Sequence, residues 1–293
     1  NETGYLLKSN QVLTNATLIY KPIPELTIKF LGGIENADNR SDSYTTTRFY
    51  NSPGSAGVAT SQFTSLLSEN TISYNKTFHQ KHSVSAVAGF TYQDFLSTNL
   101  SGSGIGFLSD VSQTYDLGAA SAPGVPGSGY SESVLLSYLA RVNYSFNNKY
   151  LATVSFRTDG SSKYSAGDKW GSFPSAALGW IVSNEDFLKG NKFISNLKLR
   201  ASWGYTGSQA INPYATLNQL VSGQTVFGNT LFTTYAPGTR LPGYLKWETT
   251  EQKNIGLDIG ILKNRVTITA DYYIKNTHDL LNTVRLPYSL GYT

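Results

Sequence analysis

Arg157, Asp159 and Lys163 are the residues whose types and spacing best suit the handling of a polar or charged ligand. They lie in Arg157-Thr158-Asp159-Gly160-Ser161-Ser162-Lys163, where an alternating pattern gives way to Gly and Ser, so they stand where a strand opens into a loop. Arg and Lys supply donors only and an ionised Asp acceptors only, a set that can grip carboxylates or hydroxyls. Arg141, Lys198, Arg200, Asp258 and Asp271 occupy the polar positions of other alternating stretches. Such residues either line a wet passage or form ion pairs among themselves. Trp170 and the loop aromatics Tyr44, Phe49, Tyr50, Tyr115, Tyr130, Tyr164, Tyr214, Phe227 and Tyr235 offer flat faces to sugar rings or peptide side chains. They can equally pack their own loops.

Covalent chemistry has no comparable signature. His79 and His82 flank a turn and His278 stands far away, without a third ligand or a nucleophile beside them. Cysteine is absent, which removes disulfides and thiolate metal sites. Gly102-Ser103-Gly104-Ile105-Gly106 matches no nucleotide fingerprint. No catalytic, cofactor or metal site is expected. The net charge is +4 with its Lys and Arg spread singly, so nucleic acid is not an expected partner.

The elements that must position these residues read as long strands. From Val134 to Phe146 apolar residues occupy every second position, with Ser137, Arg141, Asn143 and Ser145 between them; after Asn147-Asn148-Lys149 the pattern resumes in Tyr150, Ala152, Val154 and Phe156. Period two over about ten residues per arm, closed by a tight turn, suits a membrane-spanning hairpin. Further alternating runs are read at 12–21, 26–34, up to Phe78, from Val84 to Tyr92, 174–182, 197–205, 247–261 and 266–275. Asn184 to Leu188 reads as one helical turn capped by Asn184 or Ser183. Aromatics near the strand ends, Tyr20, Phe78, Tyr144, Phe146, Tyr150, Trp180, Trp203 and Tyr272, read as interface girdles.

Charged residues make up 14% of the 293 residues, against about 25% in soluble domains. No run of about 18 apolar residues occurs, so transmembrane helices are not expected. Connections alternate in length, with long ones read at about 38–61, 99–130, 158–172 and 206–243, and all on one end. The expected fold is all-β: a transmembrane antiparallel β-barrel of which about ten strands are present, with residues 1–293 forming part of one barrel domain. Methionine is absent, position 1 included, no signal peptide opens the chain, and Asn1 to Gly4 read as the middle of a loop. The sequence is therefore read as a piece of a longer exported protein. Two other readings stay open at this point: a passive porin or adhesin-like barrel, and a secreted soluble polysaccharide-binding β-sandwich.

Several motifs carry a resemblance. Arg157 to Lys163, followed by Trp170-Gly171-Ser172-Phe173-Pro174-Ser175-Ala176-Ala177-Leu178-Gly179-Trp180, resembles the SusC/RagA group of TonB-dependent outer-membrane transporters. So do Ile194 to Gly207, Leu245-Lys246-Trp247-Glu248-Thr249-Thr250, Asn254 to Asp258 and Asp279-Leu280-Leu281; at Ser208 the group more often has Asn. The resemblance implies a barrel of about 22 strands with an N-terminal plug, set in a bacterial outer membrane with its long loops extracellular. It implies uptake of an oligosaccharide or peptide beneath a SusD-like surface lipoprotein, driven by the TonB complex through the plug. The plug and the ends of the barrel are expected to lie outside these residues.

Overall fold

A computed structural model describes residues 2–188, 191, 193–237 and 245–282. Thirteen strands account for most of them: β1 (Thr3–Ile23), β2 (Leu26–Thr45), β3 (Ser55–Phe78), β4 (His82–Ile105), β5 (Ala122–Pro123), β6 (Gly127–Phe146), β7 (Tyr150–Ser161), β8 (Trp170–Ile181), β9 (Ile194–Ser208), β10 (Leu220–Phe227), β11 (Thr230–Pro237), β12 (Glu248–Ile261) and β13 (Val266–His278). Eleven of them join one sheet in the order β1-β2-β3-β4-β6-β7-β8-β9-β12-β13, with β5 against β4. The soluble-sandwich reading, which needs two stacked sheets, has no counterpart in this order. β10 and β11 pair only with each other.

The short turns follow from residue type. Asn147 and Asn148 close the β6–β7 hairpin with φ of 52° and 51°, and Phe146 sits opposite Tyr150. Left-handed backbone at successive turn positions matches the twist of the paired strands, and Asn tolerates it better than most residues. His79 and Gln80 between β3 and β4, and Lys263 and Asn264 between β12 and β13, adopt the same region. Pro22 falls inside β1, where the chain avoids a lost ladder bond because β1 ends the sheet order.

At the other ends the strands outrun the sequence reading. β1 already begins at Thr3, where a loop was expected, and the expected long loop 38–61 shrinks to the residues between Thr45 and Ser55. β4 and β6 likewise extend into 99–130, and β7 and β8 into 158–172. Ladder bonds need only backbone donors and acceptors, so strands continue through Asn, Asp, Ser and Thr once the apolar contrast that marks them has faded. The expected loop 206–243 carries the β10–β11 hairpin. The expected helical turn at 184–188 is displaced: a single 3-10 turn spans Val182–Asn184, preceded by Ile181 and without a side-chain cap.

The described residues divide into two compact units, one of residues 1–19, 29–70 and 91–134, the other of 20–28, 71–90 and 135–293. Each carries its own small buried cluster. In the first, Tyr44, Ala56, Phe107 and Ala120 pack with Leu117. Asp110 pins the adjoining connection: its carboxylate accepts from the Tyr44 hydroxyl at 2.5 Å and from Thr47 N at 3.0 Å. Those donors hold its pKa below the usual carboxylate value, the Tyr44 hydroxyl contributing most. In the second unit, Tyr164, Phe173 and Trp247 are buried together, with Leu135, Tyr205, Ile211 and Leu245 around them.

At the short-turn end of the second unit, Glu185 gathers three donors. Lys149 Nζ (2.9 Å), the Tyr150 hydroxyl (2.7 Å) and Trp180 Nε1 (3.1 Å) all reach its carboxylate. They hold its pKa down to about 2, the Lys149 ammonium contributing most. Asn184 Nδ2 donates to the Asn148 carbonyl at 2.8 Å, a second tie between the same two connections. A depressed carboxylate stabilises the fold above its ordinary pKa near 4.5 and loses that contribution as pH falls toward 2. Glu185→Gln is therefore expected to be less stable than the wild type at pH 7 and to equal it near pH 2. Urea midpoints measured by gel mobility at both pH values check this; an advantage that persists undiminished at pH 2 contradicts it.

Candidate functional site

Register sorts the side chains of the second unit onto two faces. Residues directly opposite in antiparallel strands share a face, and Val142, Val154 and Ala176 stand in one row, with Trp203 opposite Ala176. Val154, Leu178 and Ile255 are exposed at 62%, 66% and 66%. An apolar surface of this extent, unshielded by any other element described, is one that water does not favour. On the same face Phe146, Tyr150 and Trp180 form a run of stacked rings, with centroids 6.3 Å apart at each step. His82 extends it, its ring 4.9 Å from Phe146 and its Nδ1 2.7 Å from the Tyr144 hydroxyl. Trp203 donates from Nε1 to Glu251 at 2.8 Å, and Tyr272 is exposed. Six of the eight expected interface aromatics, Tyr144, Phe146, Tyr150, Trp180, Trp203 and Tyr272, thus share the apolar face.

Trp170 joins them, against its placement among ligand-facing residues. It pairs with Gly160 and stacks on Tyr138 at 6.1 Å. Period two from Leu178 back through Ser172 puts it there. A Cβ at Gly160 would lie 2.8 Å from the Trp170 ring, so glycine is what lets the indole cover the neighbouring strand.

The opposite face is polar. Arg157 Nε donates to both Asp159 oxygens, at 2.8 and 2.9 Å, and Nη2 donates to Ser137 Oγ at 3.1 Å. Arg200 grips Asp258 with two bonds (2.8 and 3.0 Å) and reaches Asp271 at 3.2 Å. Gly256 lies between those partners, where a Cβ would come within 2.7 Å of the guanidinium carbon. Three of the expected polar positions are thus brought together around Arg200, and two around Arg157. Arg141 stands opposite Ser155 on this face and is exposed. Lys198 faces Asp258 across the β9–β12 ladder.

The loop residues scatter. Tyr164 is 1% exposed, and its hydroxyl donates to the Ser208 carbonyl at 2.9 Å. It packs its own loop, with Trp247 at 5.0 Å. Lys163 is half-buried beside it, its carbonyl accepting from Thr216. Tyr214 is half-buried with φ of 64°, and Tyr235 is exposed on β11. Sequence reading passed over Ser137, Phe173, Trp247 and Glu185. Burial of Ser137 in a polar strand position had no local signal, and the partners of Glu185 Oε2 and Trp247 Nε1 lie 36 and 78 residues away.

Comparison with known proteins agrees with this two-faced sheet. The family model for the TonB dependent receptor-like β-barrel matches residues 7–293. TonB-dependent receptor P39 of Formosa agariphila is 37% identical over 225 residues, 77% of this chain and 21% of the relative. TonB-dependent receptor SusC of Bacteroides thetaiotaomicron is 44% identical over 163 residues, 54% of this chain and 16% of the relative. The solved structure of the RagAB peptide transporter superposes with a TM-score of 0.90 at 25% identity, over 99% of this chain and 32% of that one. The chain thus spans only a fraction of the length of the proteins it matches. The SusC/RagA resemblance and the all-β barrel fold expected from the motifs are borne out, and the chain belongs to the TonB-dependent receptor-like β-barrel family.

Proposed function

We propose that this chain is barrel wall and ligand-facing surface of an active nutrient importer in a bacterial outer membrane, all of it part of one barrel domain. The apolar face meets lipid, the polar face looks into the lumen, and the long connections are extracellular. The parent protein takes up oligosaccharides or peptides beneath a SusD-like surface lipoprotein. The TonB complex drives uptake through a plug carried by other residues of the parent protein, and no covalent chemistry is performed.

The observation that supports this most is the pairing of exposed Val154, Leu178 and Ile255 on one face with ion-paired Arg157 and Arg200 on the other. Lipid on one side and water on the other is the environment in which both faces are satisfied at once. The match to a peptide transporter structure supports the ligand class.

The test uses cells with and without the gene for the parent protein. They are given fluorescent oligosaccharides or short peptides, neutral and acidic, with and without a protonophore. Gene-dependent accumulation that the protonophore abolishes is the expected result, together with a lipoprotein that copurifies in detergent. Accumulation indifferent to the protonophore would instead mark a passive pore.

A further inference from the structure

The Arg157 guanidinium is held in a way that exceeds what neutralising Asp159 requires. Asp159 is 8% exposed and Ser137 fully buried, so both partners are fixed parts of the sheet. Asp159 takes only the Nε hydrogen, through both of its oxygens, and Ser137 takes one hydrogen from Nη2. A guanidinium carries five N–H donors in a rigid fork. Among the described residues, the two Nη1 hydrogens and the second Nη2 hydrogen have no partner.

An Arg that serves only to neutralise a carboxylate commonly meets its two oxygens with two separate nitrogens, the bidentate arrangement that Arg200 makes with Asp258 through Nε and Nη2. At Arg157 the carboxylate sits behind the guanidinium instead, and the side chain remains 46% exposed. Its exposed part lies on the polar face, where Arg141 stands two positions along the ladder, opposite Ser155. Two cations against one buried carboxylate leave this patch net positive.

We infer that Arg157 is a preorganised receptor for a carboxylate carried by the imported ligand, with Asp159 and Ser137 as positioning residues. The inference rests on the importer reading, and it narrows the nutrient to one bearing a carboxylate. A carboxylate would meet the open donors with two parallel charge-assisted bonds, at little ordering cost because the fork is already fixed. Arg141 adds a second positive charge that Asp159 does not offset.

The test is binding to the full-length protein, purified in detergent with its copurifying partners. Two probe pairs are used: a glutamate-containing pentapeptide with an amidated C-terminus against its glutamine analogue, and an oligogalacturonate against its methyl ester. Wild type is expected to prefer the acidic member of one pair by about tenfold or more, the scale of a hydrogen bond to a charged group. The pair that shows the preference identifies the source of the carboxylate. Arg157→Gln should bring that ratio close to one, and Arg157→Lys should recover only part of it, because a point charge lacks the fork.

Arg157→Gln strands a buried Asp159, so the double variant Arg157→Gln with Asp159→Asn is measured beside it. Its heat-modifiable gel migration reports folding independently of binding. A ratio that survives in the folded double variant overturns the inference, as does a wild type without preference in either pair. The importer reading fails separately, by absence of protonophore-sensitive uptake in cells, whatever the binding ratios show.

Discussion

Replacing Trp247 by Ala is expected to destabilise the protein by about 3 to 5 kcal/mol, the largest effect among the substitutions considered. Trp247 is 6% exposed and packs its indole edge-on to Phe173 at 5.5 Å and against Tyr164 at 5.0 Å. It also donates from Nε1 to the Lys169 carbonyl at 2.9 Å. The cluster occupies a place the ladder cannot fill. Among the described residues, β8–β9 pairing runs from Ile181↔Lys198 only as far as Ser175↔Gly204, although both strands continue beyond. Gly171 and Gly207 make room for it, since a Cβ at either would run into the Phe173 ring. Trp247→Phe keeps most of the packing and forfeits the hydrogen bond, a loss of about 1 kcal/mol plus a smaller cavity. Urea titration followed by gel mobility gives both values. Equal midpoints for wild type and Trp247→Ala would remove the cluster from any role in stability.

Val154→Arg should cost about 2 to 4 kcal/mol, because it places a charge near the middle of the apolar face proposed to meet lipid. Val154 lies between the Tyr150–Trp180 and Tyr138–Trp170 ring pairs, opposite Val142 on one side and Ala176 on the other. The control is Asn143→Arg, one row nearer the turn on the polar face, opposite Thr153. Refolding into vesicles, monitored by tryptophan fluorescence and urea midpoint, compares the two. Similar losses at both positions would mean that the two faces are misassigned.

What was legible in the sequence was whatever produced contrast between neighbours. The β6–β7 hairpin stands out because apolar and polar residues alternate on both sides of Asn147-Asn148, and the structure places Phe146 opposite Tyr150 as that reading requires. Beyond about Ile34 in β2 the contrast fades: Asn36, Asp38, Arg40 and Asp42 continue the strand on positions that look like loop. Backbone pairing is indifferent to that change, so strand length was the least visible property.

Candidate residues divide the same way. Arg157 and Asp159 were visible as a motif, and a two-residue spacing on one strand necessarily puts them on one face. Trp170 was read among the ligand-facing aromatics, although the alternation running back from Leu178 puts it on the apolar face. Glu185 and Trp247 act largely through partners far along the chain, Lys149 and Lys169, which no local pattern encodes. Glu185 in particular sits in a connection, where periodicity offers nothing to read.

The β10–β11 hairpin has a practical corollary. Its ladder runs from Leu220↔Pro237 to Phe227↔Thr230 and stops at Gly228, whose φ is 61° and around which no atom would crowd a side chain. Because these two strands borrow no bonds from the main sheet, lengthening their tip shifts no other register, and extra residues there add little closure entropy. The tip is thus a natural socket for an epitope or fluorogenic tag, through which the orientation of the molecule in intact cells can be read from outside.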